Sequence, residues 1–367
     1  MADAAFARAV AADIGTDAEL RRALAGEAME RGAPDVVIHL LAAFVDPVRD
    51  DRTRRWLAIA YARTSIPYEA GITFFADIRS AQNADAELNR VGGHFHLYRR
   101  RPAEAAPWFR RSLDLEPTNV RTQMAYWQAQ SRDGAHRRAR DFLAGVDLSP
   151  AEGPAEDCMA MAQLLWRNGR DEALDFAYEL AARNRNDFQV CLGYSGLLLA
   201  DAFDGNAPQI PAIGQVSVGA MVRLGPVAQD DWVIVIDESQ TDLPGHVQSD
   251  NTIVQQALGK EAGDQFETTS GPNRFPWAVK EIKSKYLHLF HEIARTLQDQ
   301  FPDNGSLYSM TVVDDDLTPI LESVRARRKS VERLEENYRD QPMPLGAVAN
   351  AGGGCTIDFA VHLAQSG

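Results

Sequence analysis

Three groups of side chains are of types and spacing that could do chemistry. His288, His291 and Glu292 lie in HLFHE, where a three-residue step puts both imidazoles on one helix face, as a zinc site requires. The order is neither H-E-x-x-H nor its inverse, so partly exposed helix histidines are the simpler reading. Asp314, Asp315 and Asp316 offer three hard carboxylate ligands for magnesium. Acidic residues just ahead of a helix also satisfy its free N–H groups and complement its dipole. The run WVIVIDES ends in Asp237 and Glu238 like a Walker B strand, but a nucleotide site needs a G-x-x-x-x-G-K-[ST] loop and the sequence has none. It reads instead as a hairpin strand ending at a turn.

Weaker signals point the same way. His94 and His96 stand two apart in a helical run and diverge by about 200° at 3.6 residues per turn, so they cannot share a metal by themselves. Gly352, Gly353 and Gly354 precede a helix, where a phosphate could sit, but no apolar strand leads into them. The cysteines, Cys158, Cys191 and Cys355, are far apart and form no CxxC pair, so buried small apolar thiols are expected. The expectation is a protein with no metal, no cofactor and no catalytic residues.

The elements that would position any site have to come from the pattern. An apolar share of 45% with 25% charged residues belongs to a folded chain. No apolar run is long enough to span a bilayer and the start lacks a signal-peptide pattern, so a cytoplasmic protein without a membrane partner is expected. The formal charge is −14, yet residues 49–140 hold 17 Arg, no Lys and 10 acidic residues. Basic and acidic surfaces are therefore segregated, and each could meet a different partner.

The first half is repetitive. Val37, Ala70, Ala105, Ala139 and Ala173 each open the second helix of a hairpin, at spacings of 33, 35, 34 and 34. One turn later stand Leu41, Phe74, Phe109, Leu143 and Ala177, as a packed helix face requires. The third hairpin, residues 87–119, is clearest, with Gly93, Ala105, Phe109 and Pro117; the fifth, WRNGRDEALDFA, reads as having a shortened turn. This pattern resembles the tetratricopeptide repeat over about residues 17–185. The resemblance implies an all-α solenoid, with residues 188–203 as a capping helix.

After the Pro/Gly-rich run DGNAPQIPAIG the character changes to β-rich segments. VSVGAMVRL, a hairpin, NTIVQQALGKEAGDQFE and a strand ending AVKEI resemble the C-terminal, FKBP-like domain of the bacterial Gre transcript-cleavage factors. The motif is Leu258, Gly259, Lys260, Gly263 and Asp264: Gly259 ends a short helix, and Gly263 with Asp264 makes a tight turn into the next strand. The cleavage chemistry of those factors belongs to a coiled coil that repeats replace here, so the resemblance implies docking on RNA polymerase and no cleavage. The predicted organisation is multidomain: repeats and cap over 1–203, a linker over 204–214, a small α+β domain over 215–285, and a helical region with one strand over 286–367. Taken together this is similar to the front part of bacterial proteins that continue into a PIN nuclease domain.

In the tetratricopeptide class the first helix of each hairpin lines the concave face. Its outward stripe here reads Arg52, Arg55 and Arg63, then Arg90, His94 and Tyr98, then Arg121, Gln128 and Arg132. Guanidinium groups offer forked, charge-assisted bonds to carboxylates or phosphates. Six arginines on one stripe also repel one another unless something offsets them. The expected function is a non-catalytic adaptor that binds an acidic peptide in this groove, with RNA as a second class of ligand. The regulatory part of an RNA-targeting nuclease or defence protein, and a metal-dependent hydrolase, are the alternatives.

Overall fold

The computed structural model describes residues 17–47, 52–64, 68–80, 85–149, 151–204, 210–226, 231–238, 242–270 and 273–301, with Lys329 and Arg333. Thirteen helices and five strands lie among them. Asp314, Asp315, Asp316, the triplet from Gly352, Cys355, and the strand and helices expected beyond 301 fall outside the described residues.

Eleven helices come first: α1 (Ala18–Glu30), α2 (Pro34–Leu41), α3 (Arg52–Arg63), α4 (Tyr68–Ser80), α5 (Ala86–Tyr98), α6 (Pro102–Leu115), α7 (Val120–Arg132), α8 (His136–Ala144), α9 (Ala155–Arg167), α10 (Glu172–Arg183) and α11 (Phe188–Asp204). Their starts are written locally. Asp17, Asp85 and Asn119 cap α1, α5 and α7 by accepting backbone N–H groups, and Pro34 and Pro102 open α2 and α6, where a missing N–H costs nothing. Each hairpin packs α1 on α2, α5 on α6, α7 on α8 and α9 on α10, while α1, α3, α5, α7, α9 and α11 touch in succession.

Close approach depends on glycine. A Cβ on Gly93 would lie 2.5 Å from the Phe109 ring, and one on Gly92 2.7 Å from Trp108. The second hairpin corrects the sequence register. Ala70 faces solvent, whereas Gly71 is buried with its Cα against the Phe95 ring, and Phe75 is more deeply buried than Phe74. With Gly71 in place of Ala70 the spacings from Val37 to Ala173 are all 34, and Phe75 falls in line with Leu41 and Phe109. The fifth hairpin's turn is not shortened: four residues separate α9 from α10, against three between α5 and α6. Turns need a left-handed residue, supplied by Gly32, Gly134 and Gly169; Arg100, at φ 58°, does the same between α5 and α6.

A five-stranded mixed sheet follows, built of β1 (Ala220–Pro226), β2 (Trp232–Ile236), β3 (His246–Val247), β4 (Gln265–Ser270) and β5 (Asn273–Ser284), with α12 (Thr252–Ala257) between β3 and β4. The order is β3-β2-β1-β5-β4, parallel only between β2 and β3. Val222, Leu224, Ile234 and Ile236 pack with Val254 and Ala257 of α12 in one apolar cluster. On the opposite face Arg223 stands beside Glu281, 3.2 Å apart across β1 and β5. The helices and the sheet belong to one compact unit ending at Tyr286. A second unit begins at Leu287, inside α13 (Lys285–Gln300), whose Leu289, Ile293 and Leu297 form a buried stripe at four-residue spacing. No helix among the described residues is long and apolar enough to cross a membrane.

Candidate functional site

Helices α3, α5 and α7 carry the predicted stripe, and its members have unequal environments. Arg52 lies over the Trp56 ring at 4.7 Å. Arg55 pairs at 2.7 Å with Asp85, the capping residue of α5, and Arg121 pairs with Asp157 in the first turn of α9. Both are thus neutralised within the chain, each tying one hairpin to the next. Arg90 approaches Glu87 at 3.9 Å, while Arg63 and Arg132 are exposed and make no ion pair among the described residues. Gln128 is half-buried on α7 between Arg121 and Arg132.

Two further arginines of the helical region do structural work elsewhere. Arg99 donates to the carbonyls of Phe95, Tyr61 and Thr64, and Arg170 donates to those of Leu143 and Val146. Each satisfies carbonyls left over at a preceding helix end.

The centre of the stripe is aromatic. The Tyr98 side chain is 65% exposed, yet its ring is held in a stack on His94 at 5.3 Å and 23°. His94 in turn meets the buried Phe109 edge-on at 5.1 Å. Its Nδ1 is buried and has no hydrogen-bond partner among the described residues. Burial, and then the nearby Arg90 charge, lower the His94 pKa to about 4, so the imidazole is neutral at pH 7. His96, two residues on, stacks with Trp108 on a different side of α5. An exposed tyrosine with its rotamer already fixed loses little entropy on contact, which is the property of an interface anchor.

Neutral His94 has a consequence for stability. An unfolded histidine titrates near pH 6.5, whereas this one titrates near 4, so the unfolded chain takes up its proton first as pH falls. The contribution is whole above about pH 6.5 and is lost progressively down to about pH 4. His94→Phe keeps the stack and should abolish about 2 kcal/mol of the wild-type loss between about pH 7.5 and about pH 5. Urea unfolding of both proteins at the two pH values checks this, and equal losses would refute the assignment.

The motif from Leu258 to Asp264 is a backbone scaffold. Gly259 (φ 77°) follows α12 and donates to the Val216 carbonyl at 2.8 Å, and the Lys260 carbonyl accepts from Val216 N–H at 2.8 Å. Gly263 (φ 101°) donates to Val279, while the Asp264 carboxylate accepts from Glu261 N–H at 2.9 Å. Both glycines take positive φ, one after the end of α12 and the other in the turn that leads into β4. Leu258 is exposed and Lys260 half-buried beside it.

The sequence reading missed a second cluster. Lys285 is 6% exposed, and its Nζ lies 2.8 Å from Asp237 and 2.8 Å from Asp175, over the rings of Tyr178 and Tyr286. Burial pulls its pKa down, but the two carboxylates outweigh this and leave it above the usual lysine value. Asp237, at the end of the Walker-B-like strand, is therefore an ion-pair partner, and Glu238 accepts from Ser249 N–H at 3.1 Å. Among the described residues no three His, Cys, Asp or Glu side chains gather as metal ligands would. His288 lies 3.7 Å from Glu292 along its own helix, and Cys158 and Cys191 are buried free thiols.

Among known proteins, no family model matches this chain and no curated sequence matches it.

Proposed function

We propose that this chain is a non-catalytic adaptor of the tetratricopeptide kind, which binds an acidic protein segment along α3, α5 and α7. The observation that carries this reading is the exposed Tyr98 ring fixed on a neutral His94 beside Arg90. Arg63 and Arg132, exposed and without an ion pair among the described residues, add unbalanced positive charge on the neighbouring helices. Carboxylates on a partner would offset that charge, and its aromatic or aliphatic groups would cover Tyr98.

The five-stranded sheet and the turn from Leu258 to Asp264 support the resemblance to the Gre-factor C-terminal domain. In this reading the sheet docks on RNA polymerase while the helices hold the other partner. A benzophenone photocrosslinker in place of Tyr98 in the full chain tests the groove. A discrete protein adduct that survives ribonuclease is expected; adducts only to RNA, or none, would overturn the reading.

A further inference from the structure

Three segments far apart in sequence converge on one buried ammonium. Asp175 comes from α10, Asp237 follows β2, and Lys285 follows β5. Further polar bonds surround it. Tyr286 donates its hydroxyl to Asp175 at 2.7 Å, and Tyr194 of α11 donates to the Tyr286 carbonyl at 3.0 Å. Tyr178 of α10 meets His246 Nε2 at 2.6 Å, and His246 Nδ1 lies 3.2 Å from the Pro244 carbonyl. That carbonyl only accepts, so Nδ1 carries a proton, and in the neutral ring Nε2 then accepts from Tyr178. At the exposed margin Arg183 forks onto Asp242 at 2.7 and 3.1 Å.

A buried ion pair is a poor device for adding stability, because apolar residues of similar volume often do as well or better. What it supplies is direction. Apolar surfaces slide and rotate at small cost, whereas an ammonium with two carboxylates between two rings has one arrangement that satisfies it. We propose that Lys285 is a pin that fixes a single orientation of the sheet on the last helical hairpin. The Arg–His–Tyr stripe and the turn from Leu258 to Asp264 are then held at a set spacing and angle. If the adaptor reading above holds, on which this last consequence rests, the two partners meet in one geometry and the second binds at high effective concentration.

The pin can be tested without any partner. Arg137 and Arg274 are exposed, on α8 and β5, and take spin labels as Arg137→Cys and Arg274→Cys in a Cys355→Ala background; the remaining cysteines are buried. Pulsed-dipolar distance measurement on the full chain should give one narrow distribution. Replacing the pair by apolar residues, Lys285→Met with Asp237→Leu, should keep the melting temperature but make the distribution about twofold wider. Asp175→Asn changes a largely exposed carboxylate, so it tests the same claim in a chain that keeps its fold, and it too should broaden the distribution. Unchanged widths in these variants, or a broad distribution in the wild type, would overturn the pin. Failure of the Tyr98 crosslink would leave these distances unaffected, so the two claims fail separately.

Discussion

Lys285→Met alone should destabilise the chain by about 3–5 kcal/mol, because it removes the ammonium 2.8 Å from the buried Asp237 carboxylate. The same change made together with Asp237→Leu should recover most of that loss, since the buried carboxylate is then gone and the remaining one, Asp175, is largely exposed to water. Urea unfolding measures both quantities. A loss below about 1 kcal/mol for the single variant would mean that the buried pair is dispensable.

Phe109→Ala should cost a similar amount, about 3–5 kcal/mol, by opening a cavity at a fully buried ring. The geometry adds a sharper expectation. A Cβ on Gly93 would come within 2.5 Å of that ring, so Gly93→Ala should be destabilising in the wild type and close to neutral once Phe109 is Ala. A double-mutant cycle by thermal or urea unfolding gives the coupling. Additive effects would place Gly93 and Phe109 in separate environments, contrary to the packing of α5 on α6.

The helical hairpins were legible because packing repeats along the chain: a buried residue every 34 positions, an apolar one a turn later, and a left-handed turn before the second helix. The slip at Ala70 has a physical origin. Alanine is the better helix former, so it looked like the buried small residue, but only Gly71 lets the Phe95 ring approach so closely. The motif from Leu258 to Asp264 was legible for the same local reason, since left-handed turns call for glycine at Gly259 and Gly263.

What could not be read from sequence was what each charge faces. Arg55 and Arg121 read like Arg63 and Arg132, yet the first two are tied to Asp85 and Asp157 by contacts 30 or more residues away. Arg99 and Arg170 are helix caps in disguise, because a guanidinium reaching a distant carbonyl has no local signature. Lys285, Asp175 and Asp237 are likewise ordinary charged residues until the fold joins them. His94 was read as part of the outward stripe, whereas its packing on Phe109 and its neutrality depend on burial that a single sequence does not display.

Photocrosslinking from position 98 bears most directly on the adaptor reading. With a second crosslinker at Arg137, on the highly exposed face of α8, as the control, position 98 should yield a discrete protein adduct that position 137 does not. The adduct should weaken when Arg63→Glu and Arg132→Glu reverse the charge on the neighbouring helices, and it should resist ribonuclease. Identical adducts from both positions, or adducts insensitive to those charge reversals, would contradict a partner-binding groove along α3, α5 and α7.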